Sequence, residues 1–221
     1  MFLIMERRAN AGQARLYTLA HELHRTSDFE AAKAGLIDRI HYFASDAELD
    51  ADLRNVRRNW YAKYGHKYLL YQYELHRLGG TQPRLPYEHF TTGEFRSTST
   101  EHILPQGPTD PCWLETFTEE QRSDLTHALG NLVLTYDNSV YSNHCFTRKR
   151  DGRPGEDTPC YRTSVLRQEQ DLAKFPTWDP STIEARQLAL AEWAMQRWAV
   201  PQLPGPALGE EDDNDDDAGL G

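Results

Sequence analysis

Two stretches of this chain read as β-strand, and both are short. Ser97 to Leu104 is rich in Ser, Thr and Ile, and Leu132-Val133-Leu134-Thr135-Tyr136 is an apolar run set between Gly130 and a polar stretch from Asp137 to Asn143. A pair of such strands buries little on its own and has to lean on helices. The rest of the sequence supplies them. Ser27-x-x-Glu30 and Ser45-x-x-Glu48 are capping boxes, in which hydroxyl and carboxylate satisfy first-turn donors reciprocally. Leu36, Ile37, Ile40 and Phe43 follow the first, and Leu49, Leu53, Val56 and Trp60 the second, at helical steps of three and four. A further helix spans His66 to Leu78 and stops at Gly79-Gly80. Thr118-x-x-Gln121 caps a helix running to about Leu129, and Asp179-Pro180-Ser181 opens a last helix through Trp198 that Pro201 ends.

The expected fold is therefore α+β and mostly helical. Residues 1–96 form a helical annex, 97–200 a small two-stranded core with a closing helix on which Trp193 and Trp198 share a face, and 201–221 a tail. A length of 221 residues suits one large domain or a domain with such an annex. Seven of the 34 acids crowd into positions 210–217, so the tail reads as disordered and the body carries only about −3 of the net −10. Acidity overall thus does not exclude nucleic acid as a partner; the tail, a tethered polyanion, would compete with it for basic surface. No apolar run approaches the roughly eighteen residues of a membrane span, and Met1 to Met5 is too short for a signal-peptide core. Cys112, Cys145 and Cys160 are odd in number and contain no C-x-x-C pair. Neither a disulfide framework nor a zinc knuckle is expected, and a soluble cytoplasmic protein is the default reading.

Chemistry concentrates around the two strands. Glu101-His102 sits at a strand end that Pro105 enforces, so the backbone can aim a carboxylate at a hard cation while the imidazole faces a water beside it. Asn131, Asn138 and Asn143 flank and follow the second strand; asparagine is a turn residue, and its carbonyl is also a competent ligand for Mg²⁺. Arg148-Lys149-Arg150 and Arg153 supply phosphate-facing charge beside them. Upstream, Arg54, Arg57, Arg58, Lys63 and Lys67 run without an intervening acid and interleave with Trp60, Tyr61, Tyr64 and Tyr68. That composition fits a nucleic-acid surface with stacking groups, or equally a core stripe with a solvated back. The remaining histidines, His127 and His66 among them, read as structural.

Three strings in order carry a resemblance: Glu-His-Ile-Leu-Pro-Gln from 101, Leu-Gly-Asn-Leu-x-Leu from 129, and Asn-x-x-x-Ser-Asn-x-x-Phe-x-x-Lys from 138. Together they resemble the HNH (ββα-metal) nuclease core, and more narrowly the C-terminal nuclease domain of GmrSD-type modification-dependent restriction endonucleases. Tyr68-Leu69-Leu70-Tyr71-x-x-Glu74 and the helix from Ile183-x-x-Arg186 to Trp198 extend the likeness over roughly residues 30–200. The resemblance implies a metal-dependent DNA endonuclease, acting on foreign or modified DNA. It makes Glu101 an acidic ligand of one Mg²⁺ or Mn²⁺, His102 the general base and Asn131 the residue steadying loop and histidine. Asn138 becomes the second metal ligand, with Asn143 or His144 as alternatives, and Lys149 approaches a phosphate. Arg148, Arg150, Arg57 and Arg58 are the further DNA contacts. A structural zinc at Cys112, His144, Cys145 and Cys160 is not expected, since their spacing fits no standard pattern. The family's nuclease domain usually works with a ParB-like nucleotide-hydrolysing domain, which leaves a lone nuclease subunit, a separately encoded partner and a remnant of a larger gene as open readings; double-strand cutting would favour a homodimer. An inactive DNA- or partner-binding module and an RNA nuclease are the alternatives.

Overall fold

The computed structural model describes residues 4–5, 13–26, 28–62, 65–92, 99–136 and 138–200. Helices α1 (Gln13–Thr26), α2 (Phe29–Phe43), α3 (Asp46–Arg54), α4 (Gly65–Leu78) and α5 (Glu88–Thr91) precede strand β1 (Ser99–His102). Helices α6 (Pro111–Thr116) and α7 (Glu119–Leu125) and a 3₁₀ turn at Leu129–Asn131 lead to β2 (Leu132–Thr135). After a second 3₁₀ turn at Asn138–Val140 come α8 (Phe146–Asp151), a 3₁₀ turn at Tyr161–Thr163, α9 (Arg167–Leu172) and α10 (Pro180–Trp198). This is the α+β, largely helical arrangement expected.

Local signals account for most element ends. The Ser45–Glu48 and Thr118–Gln121 capping boxes are both formed. The box at Ser27 falls outside the described residues, and Asp28 caps α2 by accepting from Ala31 N at 3.0 Å. Helix α3 ends at Arg54, so Val56 and Trp60 do not continue its stripe, and α7 ends at Leu125 rather than Leu129. Gly79 and Gly80 adopt positive φ where α4 stops. Capping of α9 comes from a distance: the Glu74 carboxylate accepts from Arg167 N at 2.7 Å and Gln168 N at 2.9 Å.

The hairpin sets the plan of the molecule. β1 and β2 are antiparallel, with Thr100 opposite Leu134, Glu101 opposite Val133 and His102 opposite Leu132. Side chains alternate along each strand, so one face carries Thr100, His102, Leu132 and Leu134, the other Glu101 and Val133. Leu132 and Leu134 join a core with Leu49 and Leu53 of α3, Leu69 and Leu70 of α4, and Leu190 of α10. Val133 joins Ile103, Trp113, Phe146, Tyr161 and Trp178 in a second core on the opposite face. The first core crosses the boundary expected near residue 96, because α3 and α4 complete the packing under β2.

Helix α10 is started by Asp179, whose carboxylate accepts from Thr182 N at 3.0 Å, with Pro180 in the first turn. Its buried face is Ile183, Arg186, Gln187, Leu190, Ala191 and Ala194. Trp193 and Trp198 lie partly buried against the first core, beside Tyr73 and Tyr68 of α4. Polar contacts add to this apolar packing at the turn before β2. Arg186 Nη1 donates to the carbonyls of Gly130 at 2.6 Å and Leu132 at 2.8 Å, and Gln187 Oε1 accepts from Gly130 N at 2.8 Å. Gln187 Nε2 reaches on to Leu53 O at 2.8 Å.

The cysteine expectation needs correcting. Cys112 and Cys145 are disulfide-bonded across 33 residues, joining the start of α6 to the turn before α8; Cys160 is free and buried. Two cysteines far apart in sequence carry no spacing signature, and the fold alone brings them together. Among the described residues no helix is long and apolar enough to cross a membrane.

Gly130 is required by close approach: a Cβ there would sit 2.2 Å from Ile183 O and 3.0 Å from Gln187 N, both backbone atoms of α10. Gly130→Ala is expected to cost about 2–3 kcal/mol in denaturant unfolding. Gly107→Ala, which meets nothing within 4 Å, should be near neutral. Equal midpoints for the two variants would show that α10 does not press on this turn.

Candidate active site

His102, the last residue of β1, points to the face that carries α4. Its Nε2 lies 3.1 Å from Nδ1 of His127, and its Nδ1 lies 3.3 Å from the Gln106 amide nitrogen. With that amide donating to Nδ1, the ring carries its proton on Nε2 and gives it to His127, which leaves Nδ1 as the basic atom. Tyr61 completes the group, edge-on to His102 at 4.4 Å and stacked on His127 at 5.9 Å. The segment after α3 holds Tyr61 there through Trp60 N, which donates to His127 O at 3.0 Å. His66 from α4 bonds Thr100 on the same face, Nε2 to Oγ1 at 2.8 Å. Burial, then the neighbouring His127, His66 and Lys149, lowers His102 to about 3. The imidazole is a neutral base throughout the neutral range.

Asn131 fixes the turn that presents these rings. Its Oδ1 accepts from Leu104 N at 2.8 Å and Trp178 Nε1 at 3.1 Å. Its Nδ2 donates to Leu104 O at 2.9 Å and Thr126 O at 2.8 Å. Both donors and both acceptor sites of a fully buried amide are thus used. Leu104 is two residues beyond His102 and Thr126 one before His127, so one side chain sets the spacing of the imidazole pair.

Glu101 faces the opposite side of the hairpin. Its carboxylate accepts from Lys149 Nζ at 2.6 Å, and the same ammonium donates to the carbonyls of Ile103 at 3.0 Å and His102 at 3.1 Å. Both side chains are buried, 5% and 0% exposed. Burial raises Glu101 to about 7 against the opposing pull of Lys149, and it lowers Lys149. Tyr161 and Glu169 lie nearby in the same core, and burial raises Glu169 to about 8.

Several residues therefore stand elsewhere than the sequence implied. Glu101 and His102 do not converge, because adjacent residues of a regular strand face opposite ways and the expected strand-end twist does not bring them together. Lys149 is internal and cannot meet a phosphate. Arg150 binds the carbonyls of Phe175 at 3.1 Å and Pro176 at 2.9 Å and pairs with Asp151. Arg58 pairs with Asp52 and lies over the Trp60 ring, and Trp60 itself is core. Arg57 pairs with Asp124 at 2.9 Å yet stays 70% exposed. Lys67 donates to Phe90 O at 2.7 Å; Lys63 and Tyr64 lie outside the described residues. Arg148 lines a cleft of about 240 Å³ with Ser139, His144 and Arg153. Asn138 is half-buried in a turn packed on β1, and Asn143 gives its carbonyl to Trp113 Nε1 at 3.3 Å.

These strands and turns sit within a match to a known family: residues 43–193 match the C-terminal domain of GmrSD restriction endonucleases. The chain belongs to that family. The match takes in α3 and α4 as well as the hairpin, in keeping with a core shared between them. No curated protein and no solved structure matches the chain.

The expected cation seat at Glu101 and Asn138 does not fit the residues as they stand, since the Glu101 carboxylate already holds an ammonium and is closed from solvent. Among the described residues the one cluster of three ligating acids, cysteines or histidines is Asp110, Cys112 and Cys145. From sequence His127 reads as structural and Tyr61 only as one of the aromatic groups interleaved with the basic run. His127 stands two residues ahead of Leu129-Gly130-Asn131, and that proximity to the motif was the available signal.

An unfolded histidine titrates near 6.5, so the unfolded chain takes up the His102 proton first. The stability that neutral His102 contributes is whole above about 6.5 and drains as pH falls towards 3. The stability gap between wild type and His102→Gln should shrink by a few kcal/mol between pH 7 and pH 4. A pH-independent gap in urea melts would refute a buried neutral ring. Lys149→Met should cost about 3–5 kcal/mol by stranding Glu101, and adding Glu101→Gln should recover part of it. If the double variant is no more stable than the single, the pair is not what the lysine serves.

Proposed function

We propose that the chain is a phosphodiester-cleaving domain acting on DNA, with His102 as general base and the hairpin plus α8 as its ββα core. The observation that carries this reading is the His102–His127 contact. A neutral imidazole keeps Nδ1 on the side of exposed Gln106, while its other nitrogen hands a proton to a second imidazole. When Nδ1 takes a proton from an attacking water, Nε2–H stays hydrogen-bonded to Nδ1 of half-buried His127, so the ring keeps its orientation as it ionises. Exposed Gln106 can swing aside to admit the water. Asn131 acts as a positioning residue through its four hydrogen bonds.

Phosphate would be met by Arg57, whose partner Asp124 stands on α7 three residues ahead of His127, and by Arg148 in its cleft. A restriction-nuclease family suggests a divalent-metal requirement, though no step is assigned to an ion here because Glu101 is committed to Lys149. Membership in this family supports a role in DNA restriction; foreign or modified DNA as the target, the cytoplasm as the place, and a separately encoded nucleotide-hydrolysing subunit or a homodimer as the assembly are further parts of the proposal. The sealed Glu101–Lys149 pair favours a second reading, a DNA-binding module that has kept the nuclease fold without cleavage.

Plasmid DNA incubated with the purified chain and Mg²⁺ or Mn²⁺, beside EDTA and His102→Ala controls, separates the two. We expect nicking that falls about 10²–10⁴-fold in His102→Ala while DNA affinity stays close to wild type. Cleavage undiminished in that variant would remove His102 as base. Binding without cleavage under every metal, on modified and unmodified DNA alike, would establish the module.

A further inference from the structure

On the side of the second core, away from the imidazole pair, the loop before α6 and the turn before α8 bring Asp110, Cys112 and Cys145 together. A carboxylate oxygen and the two sulfurs lie within 4.8 Å of one another, all three residues half-buried. The carboxylate is held in place by accepting from Cys112 N at 3.2 Å. Tetrahedral zinc with sulfur at about 2.3 Å and oxygen at about 2.1 Å needs ligand atoms about 3.5–3.8 Å apart. The Cα atoms of the two cysteines are 6.0 Å apart, so a change of side-chain torsion, with no movement of the elements, separates the sulfurs to that distance.

We propose that the reduced chain binds a thiophilic divalent ion of the zinc class through Asp110, Cys112 and Cys145, with water in the fourth position, and that the disulfide is the metal-free alternative of the same site. An external dithiol supplies two electrons and two protons and becomes a disulfide, or a phosphine supplies two electrons, takes its oxygen from water and becomes a phosphine oxide while that water gives the two protons; either cleaves the S–S bond to two thiols. Metal binding then releases both thiol protons. Exchange with an external disulfide, which is reduced to two thiols as it takes up the two electrons, re-forms the S–S bond and expels the ion. His144, though next to Cys145, belongs to the Arg148–Arg153 cleft, and Cys160 is engaged with Thr163 at 3.4 Å, so neither is a ligand. Either closure ties α6 to the start of α8, the helix whose Lys149 holds Glu101 and the carbonyls of His102 and Ile103. In a reducing compartment, where disulfides do not persist, the ion would supply that tie.

The full chain, reduced with a phosphine and kept anaerobic, is titrated with Co²⁺ as a spectroscopic stand-in for zinc, without DNA. We expect a thiolate-to-cobalt charge-transfer band that saturates at one ion per chain and is displaced by Zn²⁺. It should be missing from the oxidised chain and unchanged in Cys160→Ser. Asp110→Asn should keep the band but bind at least tenfold more weakly. In parallel, Zn²⁺ should protect Cys112 and Cys145 of the reduced, folded chain from alkylation, and Asp110→Asn should weaken that protection. No band in the reduced chain, a band lost in Cys160→Ser, or Asp110→Asn titrating like wild type would each overturn the site. Because nothing here reads cleavage, failure leaves the nuclease reading standing.

Discussion

A single buried amide ties the candidate site to the fold. Asn131 spans the end of β1, the exit of α7 and the loop ahead of α10, through Leu104, Thr126 and Trp178. Each of those partners is a backbone or indole group that would otherwise be buried without a bond, at about 1–3 kcal/mol apiece. No other residue type supplies two donors and two acceptors from so small a planar group. The His102–His127 distance follows from this, because both rings hang from chain that the amide fixes. Gly130 is the companion constraint, since the turn must come close enough for α10 to read its backbone with Arg186 and Gln187.

The hairpin then divides the chemistry. One face gives His102 a partly open, polar environment of imidazoles and a tyrosine. The other encloses Glu101 with Lys149 in an apolar core. An ammonium bound by a carboxylate and two carbonyl oxygens does electrostatically what a metal ion would do in the same cage, with the advantage that it is covalently retained. Such a pair is weak evidence for stability, because desolvating both charges offsets their attraction. Its stronger effect is on geometry: it pins α8 against the strand whose next residue is the proposed base.

Much of this arrangement was legible in the residues. The capping boxes at Ser45 and Thr118, the stop at Gly79-Gly80 and the Asp179-Pro180 start are local chemistry, and local chemistry is what a sequence states directly. The family likeness was carried by ordered strings around Glu101, Asn131 and Asn138, and the match over residues 43–193 bears it out. What was not legible depends on chain segments meeting. The Cys112–Cys145 bond spans 33 residues, Glu101–Lys149 spans 48, and the rings of His102 and His127 meet only because the segment carrying α6 and α7 folds back. The basic run from Arg54 to Lys67 misled for the same reason. No acid interrupts it in sequence, yet Asp50, Asp52 and Asp124 reach it in space.

That neutralisation bears on how an acidic chain could approach DNA at all. With Arg54 and Arg58 committed to neighbouring aspartates and Lys149 and Arg150 to internal partners, little of the formal basic charge near the site is free to meet phosphate. Long-range attraction would then be weak, and affinity would rest on a few contacts such as Arg57 and Arg148 rather than on a broad cationic field. An exposed pair like Arg57–Asp124 costs little to open, about 1 kcal/mol or less, so a phosphate can take the place of the carboxylate. Under the proposed reading, Asp124, three residues ahead of His127, would hold the Arg57 guanidinium until a stronger anion arrives. A surface of that kind would favour a phosphodiester backbone placed correctly over His102 and disfavour indiscriminate binding.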